Sequence, residues 1–256
     1  MELIRLAFGV GKVYLHGNIA AYYGVHSLKD LDAIIEHFDK YPLLTKKRAD
    51  YELFKRTVEL MRCKEHLTLS GLRKIVALKA SINNGLSKEL KAAFKKITPV
   101  LRPKVELPQS IDPYWLSGFV SGDGNFYVMC PKIGCKGPTH LRFRIIQHDR
   151  DRELLRSLMG YLGCGRYEED FGCYTGNFAV TKFFDIMYII IPFFDKYLLE
   201  GVKVDDFEDF KKVAFIMLNR GHVTEMGLEQ IRKIKAGMNK GRDWIKYTTE
   251  AVSGNK

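Results

Sequence analysis

Apolar positions along this chain change their period several times, and each change predicts an element. From His140 to Gln147 they alternate, with Leu141, Phe143 and Ile145 on one side and His140, Arg142 and Arg144 on the other. A period of two belongs to a strand with one buried face. A partner strand is expected near 125–131, joined to it by a hairpin connection that contains Gly134 and Gly137. From Asp151 to Leu162 the spacing becomes that of an amphipathic helix, and Gly163 ends it. Strands follow near 165–170 and 173–181, joined by Asp170-Phe-Gly172, then helices near 182–191, 204–219 and 224–238. Earlier in the chain, Leu28–Phe38, Asp50–Cys63 and Leu69–Ile82 read as three similar helices. Thr68 and Thr224 suit helix N-caps, and Gly85 and Gly241 suit C-terminal stops.

Ahead of these strands lies a short helix that stops abruptly. Asp112 can cap it, and Pro113 suits its first position, where no N–H is needed. Ser117, Gly118, Ser121 and Gly122 place small residues on one stripe, where another helix backbone can approach closely. Asp123 falls at the exit, followed by Gly124, expected in the left-handed conformation that ends a helix. A carboxylate is disfavoured at the negative end of a helix dipole, so this one is a natural place for a cation.

The chain repeats itself. Phe38–Gly85 matches Phe194–Gly241 without a gap, at an offset of 156 residues. On that register about twenty of some fifty positions are identical, among them Asp50/Asp206, His66/His222, Thr68/Thr224, Gly71/Gly227 and Asn83/Asn239. A period this long means a duplicated domain, not a solenoid. Upstream, Gly9-Val-Gly11 pairs with Gly163-Cys-Gly165. The second copy contains the 112–124 helix and two strands after it, and the first copy lacks counterparts for them. The expected division is a truncated first repeat over 1–95, a proline-rich linker over 96–111, a complete second repeat over 112–243 and a polar tail over 244–256.

Composition narrows the partners. A net charge of +11 suggests a polyanion, nucleic acid first. No apolar run is long enough for a transmembrane helix, so no membrane partner is expected. No presequence stands out at the start. The five cysteines are odd in number and form no CxxC pair, which argues against a disulfide framework or zinc site and fits a reducing compartment. His66 and His222 lack metal-ligand spacing and read as buried or capping side chains.

Leu116-Ser-Gly-Phe-Val-Ser-Gly-Asp-Gly124 resembles the LAGLIDADG motif of homing endonucleases. The repeated block, with Ile35-Glu-His-Phe-Asp-Lys-Tyr-Pro-Leu43, Lys64-Glu-His-Leu-Thr68 and Lys79-Ala-Ser-Ile-Asn-Asn-Gly-Leu86, looks like the single-chain, two-repeat members encoded in fungal mitochondrial introns. The resemblance spans about residues 1–243. It implies an α+β fold of tandem αββαββα repeats, with antiparallel sheets that form a saddle over double-stranded DNA, here with the first repeat truncated. It implies hydrolysis of phosphodiester bonds at a long specific site, with Mg²⁺ or another divalent cation held by Asp123 and Gly122. Gln147 matches a polar position of the family's active-site pocket, and Lys182 a basic one near the phosphates, for which the first copy has Ser27. On the sheet face, Asn125, Tyr127, Lys132, Lys136, His140, Arg142, Arg144, Arg166, Glu168, Tyr174 and Asn177 are the candidate nucleic-acid contacts. The small-residue stripe would pack against a twin motif helix. The family expects an acid from each of two such helices, and this chain shows only Asp123. Three readings follow: a fragment, a second polypeptide that supplies the other half, or a role without cleavage. The last includes a maturase that assists group I intron RNA splicing and a noncatalytic DNA-binding remnant. A mitochondrial location goes with the family.

Overall fold

Glycines in the left-handed conformation end corresponding helices in the two halves of the chain. Gly9 (φ 68°) closes α1 (Glu2–Phe8), and Gly163 (φ 68°) closes a helix of the second half. The structure is a computed structural model that describes residues 1–17, 20–170 and 172–239. It divides into two units, Met1–Leu107 and Pro108–Lys256. No helix among the described residues is long and apolar enough to cross a membrane.

In unit 1, α1 leads into the antiparallel strands β1 (Lys12–His16) and β2 (Ala20–Gly24). Four helices follow: α2 (Leu31–Lys40), α3 (Lys47–Arg62), α4 (Leu69–Ala80) and α5 (Lys88–Ala93). The core is thin, with Ile35, Leu53, Val58, Val76 and Leu78 buried between the helices. The stretch expected as a proline-rich linker is extended and, over 100–105, docked on the helices of unit 1. Val100 donates to the Ala77 carbonyl at 3.3 Å, Val105 is buried, and Arg102 reaches Asp50 of α3 at 2.7 Å. Two valines on apolar surface and an arginine on a buried acid outweigh the stiffness of the prolines.

Unit 2 begins with α6 (Pro113–Asp123), capped as expected. The Asp112 carboxylate accepts from the Tyr114 and Trp115 amides at 2.8 and 3.0 Å. The elements β3 (Gly124–Met129), β4 (His140–His148), α7 (Arg152–Leu162), β5 (Arg166–Asp170) and β6 (Thr175–Val180) follow. The strands form one antiparallel sheet in the order β3-β4-β6-β5. Phe126, Phe143 and Phe178 point from it into the core, where Phe126 packs on Phe207 and Phe210 at ring distances of 5.3 Å. The helix expected over 182–191 runs on to Lys196 as α8 (Phe183–Asp185), a π-turn (Ile186–Ile190) and α9 (Ile191–Lys196). Pro192 has no N–H for the helical bond to the Tyr188 carbonyl, and the widened turn absorbs that loss. Then come α10 (Lys203–Leu218) and α11 (Glu225–Ala236).

Thr68 and Thr224 cap α4 and α11, accepting from the Gly71 and Gly227 amides at 3.0 and 3.1 Å. Two expected glycine stops differ. Gly85 (φ 76°) lies beyond α4, which Ser81 ends, and Gly241 lies outside the described residues, as does the tail over 244–256.

Candidate functional site

Asp123 is the exposed last residue of α6, and the sheet brings it a partner. Gly124 pairs with Ile145, so β4 outlasts β3 by Ile146, Gln147 and His148. Gln147 has the parity of Phe143 and Ile145, which puts it on the helix side of the sheet beside the exit of α6. Its Nε2 donates to Asp123 Oδ2 at 2.6 Å. One carboxylate oxygen is thereby oriented, and Oδ1 remains for another ligand.

Gly124 does not take the left-handed conformation expected of it. Its φ of −72° and ψ of 153° are those of a strand. Glycine is needed there because a Cβ would meet Val120 Cγ1 at 2.5 Å and the Val120 carbonyl at 2.6 Å. The helix turns into β3 without a spacer, so its last carbonyls press on the first strand residue. That close turn holds Asp123 at the sheet end.

Lys182 is not brought to this place. Val180 pairs with Phe143 and Gly176 with Gln147, so β6 runs away from Asp123 toward Lys182. Continued past the strand end, that register sets Lys182 level with Leu141, five positions from Ile146 and about 17 Å along the strand, so the sheet by itself does not bring it beside Asp123.

The small-residue stripe is also divided. Ser117 is buried and donates to the Leu198 carbonyl, and Ser121 Oγ accepts from the Glu200 amide at 2.9 Å. Both serines therefore hold their own unit's 198–200 segment. Only Gly118 and Gly122 stay open, with no atom within 4 Å of a built Cβ.

One face of the sheet carries most of the remaining candidates. Asn125, Tyr127, His140, Arg142, Arg144, Arg166, Glu168 and Asn177 share a parity opposite to Phe126, Phe143 and Phe178. Many of them are already paired. Glu168 binds both Arg142 and Arg166, the latter at 2.7 Å. Arg144 Nε donates to Asn125 Oδ1 at 3.2 Å. Asn177 is only 2% exposed and donates to Asp170 at 2.8 Å, so it organises the face more than it meets a ligand. Lys132 and Lys136 lie in the β3–β4 connection, and Tyr174 (φ 50°) stands 79% exposed in the β5–β6 turn.

Two residues of the helical end were not singled out as part of the site. Asp206, 3% exposed in the first turn of α10, accepts from the Asn239 amide at 2.9 Å. The Asn239 side chain then reaches Asn125 and the Phe126 carbonyl at 3.1 and 3.0 Å. Their recurrence as Asp50 and Asn83 was the available signal. His66 and His222 each bury an Nδ1 without a hydrogen-bond partner among the described residues. All five cysteines are free thiols. No group of three or more His, Cys, Asp or Glu side chains converges as a metal cage among the described residues.

A family model described as LAGLIDADG endonuclease matches residues 1–58 and 116–214. A "Probable intron-encoded endonuclease 3" of Neurospora crassa is 41% identical over 229 residues, which covers 87% of this chain and 43% of that protein. The chain therefore spans less than half of that relative. Among solved structures, the I-SmaMI LAGLIDADG homing endonuclease bound to cleaved DNA superposes with a TM-score of 0.90 at 46% identity, covering 94% of this chain and 82% of that one. I-SmaMI has also been solved on its uncleaved DNA target in the presence of calcium ions. I-GzeII in complex with its DNA target gives a TM-score of 0.90 at 39% identity, covering 94% of this chain and 84% of that one.

Proposed function

The chain belongs to the LAGLIDADG endonuclease family, and from that premise we propose that it cleaves double-stranded DNA at a long specific site by divalent-metal-dependent phosphodiester hydrolysis. The observation that carries this reading is the Asp123 carboxylate, exposed at the exit of α6, gripped by Gln147 at 2.6 Å and adjoining a sheet with a basic open face. Asp123, with the Gly122 carbonyl beside it, would hold the cation. One protein carboxylate suits Mg²⁺, which keeps several waters and takes phosphate oxygens. Such an ion supplies a nucleophilic water and stabilises charge on the phosphate. Gln147 fixes the carboxylate's orientation. The open face and the Lys132–Lys136 connection bind the duplex, arginines and asparagines reading base edges and lysines touching phosphates. The open Gly118–Gly122 side of α6 is the proposed seat of a second motif helix, from this protein or from another polypeptide. A mitochondrial location follows the intron-encoded relatives.

The test is selection of duplexes from a randomised library by the full chain, followed by Mg²⁺-dependent cutting of the recovered sequence. Asp123→Asn is expected to keep binding and to lower cutting at least about 100-fold, the scale of a lost charge-stabilising group. Undiminished cutting by that variant would sink the assignment of Asp123. Preference for structured intron RNA over every duplex would favour a splicing role.

A further inference from the structure

We infer that Asn239 is a positioning residue for the open face of unit 2, where it sets the side chains of Asn125 and, through Asn125, of Arg144. The inference rests on the DNA reading for its purpose, but its geometry stands apart from it. Four groups form a relay. Asp206, buried at the start of α10, accepts the Asn239 amide at 2.9 Å. This anchors a residue held at φ 53°, a conformation that asparagine tolerates better than most. The Asn239 side chain then bonds β3 twice. Its Nδ2 donates to the Phe126 carbonyl at 3.0 Å, and its Oδ1 accepts from Asn125 Nδ2 at 3.1 Å. Asn125 Oδ1 in turn accepts from Arg144 Nε at 3.2 Å.

The consequences are directional. β3 is an edge strand, and Asn239 covers one of its carbonyls. Asn125 has its oxygen bound to Arg144 and one amide hydrogen bound to Asn239, so its carboxamide cannot turn over without losing both bonds. Arg144 is tied through Nε, and among the described residues its two terminal nitrogens make no hydrogen bond, which leaves them as a fork, the geometry that reads guanine O6 and N7. Asn125 and Arg144 are direct cross-strand partners, so the relay aims a matched pair. The fold does not require this use of the side chain. In unit 1 Asn83 makes the same backbone bond to Asp50 at 3.1 Å, yet its Oδ1 accepts at 2.6 Å from Lys47, a helix side chain and not a strand group.

Asn239→Gly is the clean variant, because glycine keeps the amide and accepts the positive φ. Asn239→Asp is the second, because it keeps size and conformation while it removes the donor. One measurement needs no nucleic acid. Side-chain hydrogen exchange at Asn125 Nδ2 and Arg144 Nε, followed by NMR in the full chain, is expected to quicken about tenfold or more in Asn239→Gly, as freed groups meet solvent, and to change less in Asn239→Asp, which loses the bond to Phe126 but keeps an oxygen that accepts from Asn125. Equal exchange in wild type and Asn239→Gly would overturn the relay. The second measurement is selection from a randomised duplex library. The base preference that Arg144→Ala flattens is expected to weaken about tenfold in Asn239→Gly, within the range of one bidentate contact, with preferences elsewhere kept. An unchanged preference there, beside an altered one in Arg144→Ala, would overturn the positioning role. A wild type that recovers no consensus would remove the DNA reading, while the exchange result still judges the relay.

Discussion

The two helical ends of this chain share a clasp and rest on different foundations. In each, an acid in the first turn of a sixteen-residue helix, Asp50 or Asp206, accepts the amide of an asparagine 33 positions on, Asn83 or Asn239. In each, a threonine caps the second helix at φ −105° and ψ 149°. Below the clasp they diverge. Unit 2 sets it against a four-stranded sheet, through Asn125 and the Phe126 carbonyl, and unit 1 against the arm that carries Arg102. A duplicated module thus keeps its local closure while its surroundings decide what the closure holds: a sheet edge in one copy, a docked arm in the other.

The contrast can be tested in descending order of effect. Phe126 meets Phe143, Phe194, Phe207 and Phe210, and Phe126→Ala should destabilise unit 2 by about 3–5 kcal/mol. Both tryptophans, Trp115 and Trp244, belong to the 108–256 stretch, so fluorescence-monitored urea unfolding reads this loss in unit 2. If hydrogen exchange of unit 1 amides fell by the same amount, the two cores would not be separate. Next come Gly71→Ala and Gly227→Ala. A Cβ would stand 2.0 Å from the Glu65 carbonyl in one and 2.1 Å from the Gly221 carbonyl in the other. Each should cost about 1–3 kcal/mol, and a large difference between them would show that the copies close differently.

An acid response is expected in unit 1. Burial pushes the Asp50 carboxyl up, but hydrogen bonds from Arg102 and the Asn83 amide, with the charges of Arg102 and Lys47, outweigh it and hold the group below its ordinary range. A carboxyl lowered on folding contributes stability above its unfolded value, about 3.9, and loses it as pH falls through the folded value. Arg102→Met should therefore lower stability near neutral pH and flatten the loss below about pH 4. Urea unfolding of both proteins across that range, read by exchange at unit 1 amides, checks the sign. The smallest effect is expected at the caps, where Thr68→Ala and Thr224→Ala should each cost about 1 kcal/mol. Chemical denaturation should find the two costs equal, because both caps have the same geometry.

Local chemistry was readable from the sequence. Asp112 before Pro113, the alternation through β4, Gly163 after an amphipathic run and the paired threonines all act through neighbours a few residues away. The repeat extended this reach, because identity at Asp50/Asp206 and Asn83/Asn239 marked positions whose partners lie far along the chain. What stayed hidden depends on distant contacts. The serines of α6 turn toward residues 198–200, and no local pattern announces a carbonyl waiting there. Gly124 looked like a helix stop, but its smallness answers to a clash with Val120. Lys182 matched a family position, yet strand direction carries it to the far end of β6. The relay from Asn239 to Arg144 crosses more than a hundred residues and needs the sheet register to exist at all.

The hairpin of unit 1 has one more implication. Among the described residues β2 pairs only with β1, and Ala20, Ala21 and Tyr22 along it are exposed. Such an edge, short and without a proline or lysine to spoil it, offers unused amides and carbonyls to any strand of matching register. Storage is thus a structural matter for this chain: self-association through the 20–24 segment is expected to rise with concentration, and sedimentation across a dilution series checks it.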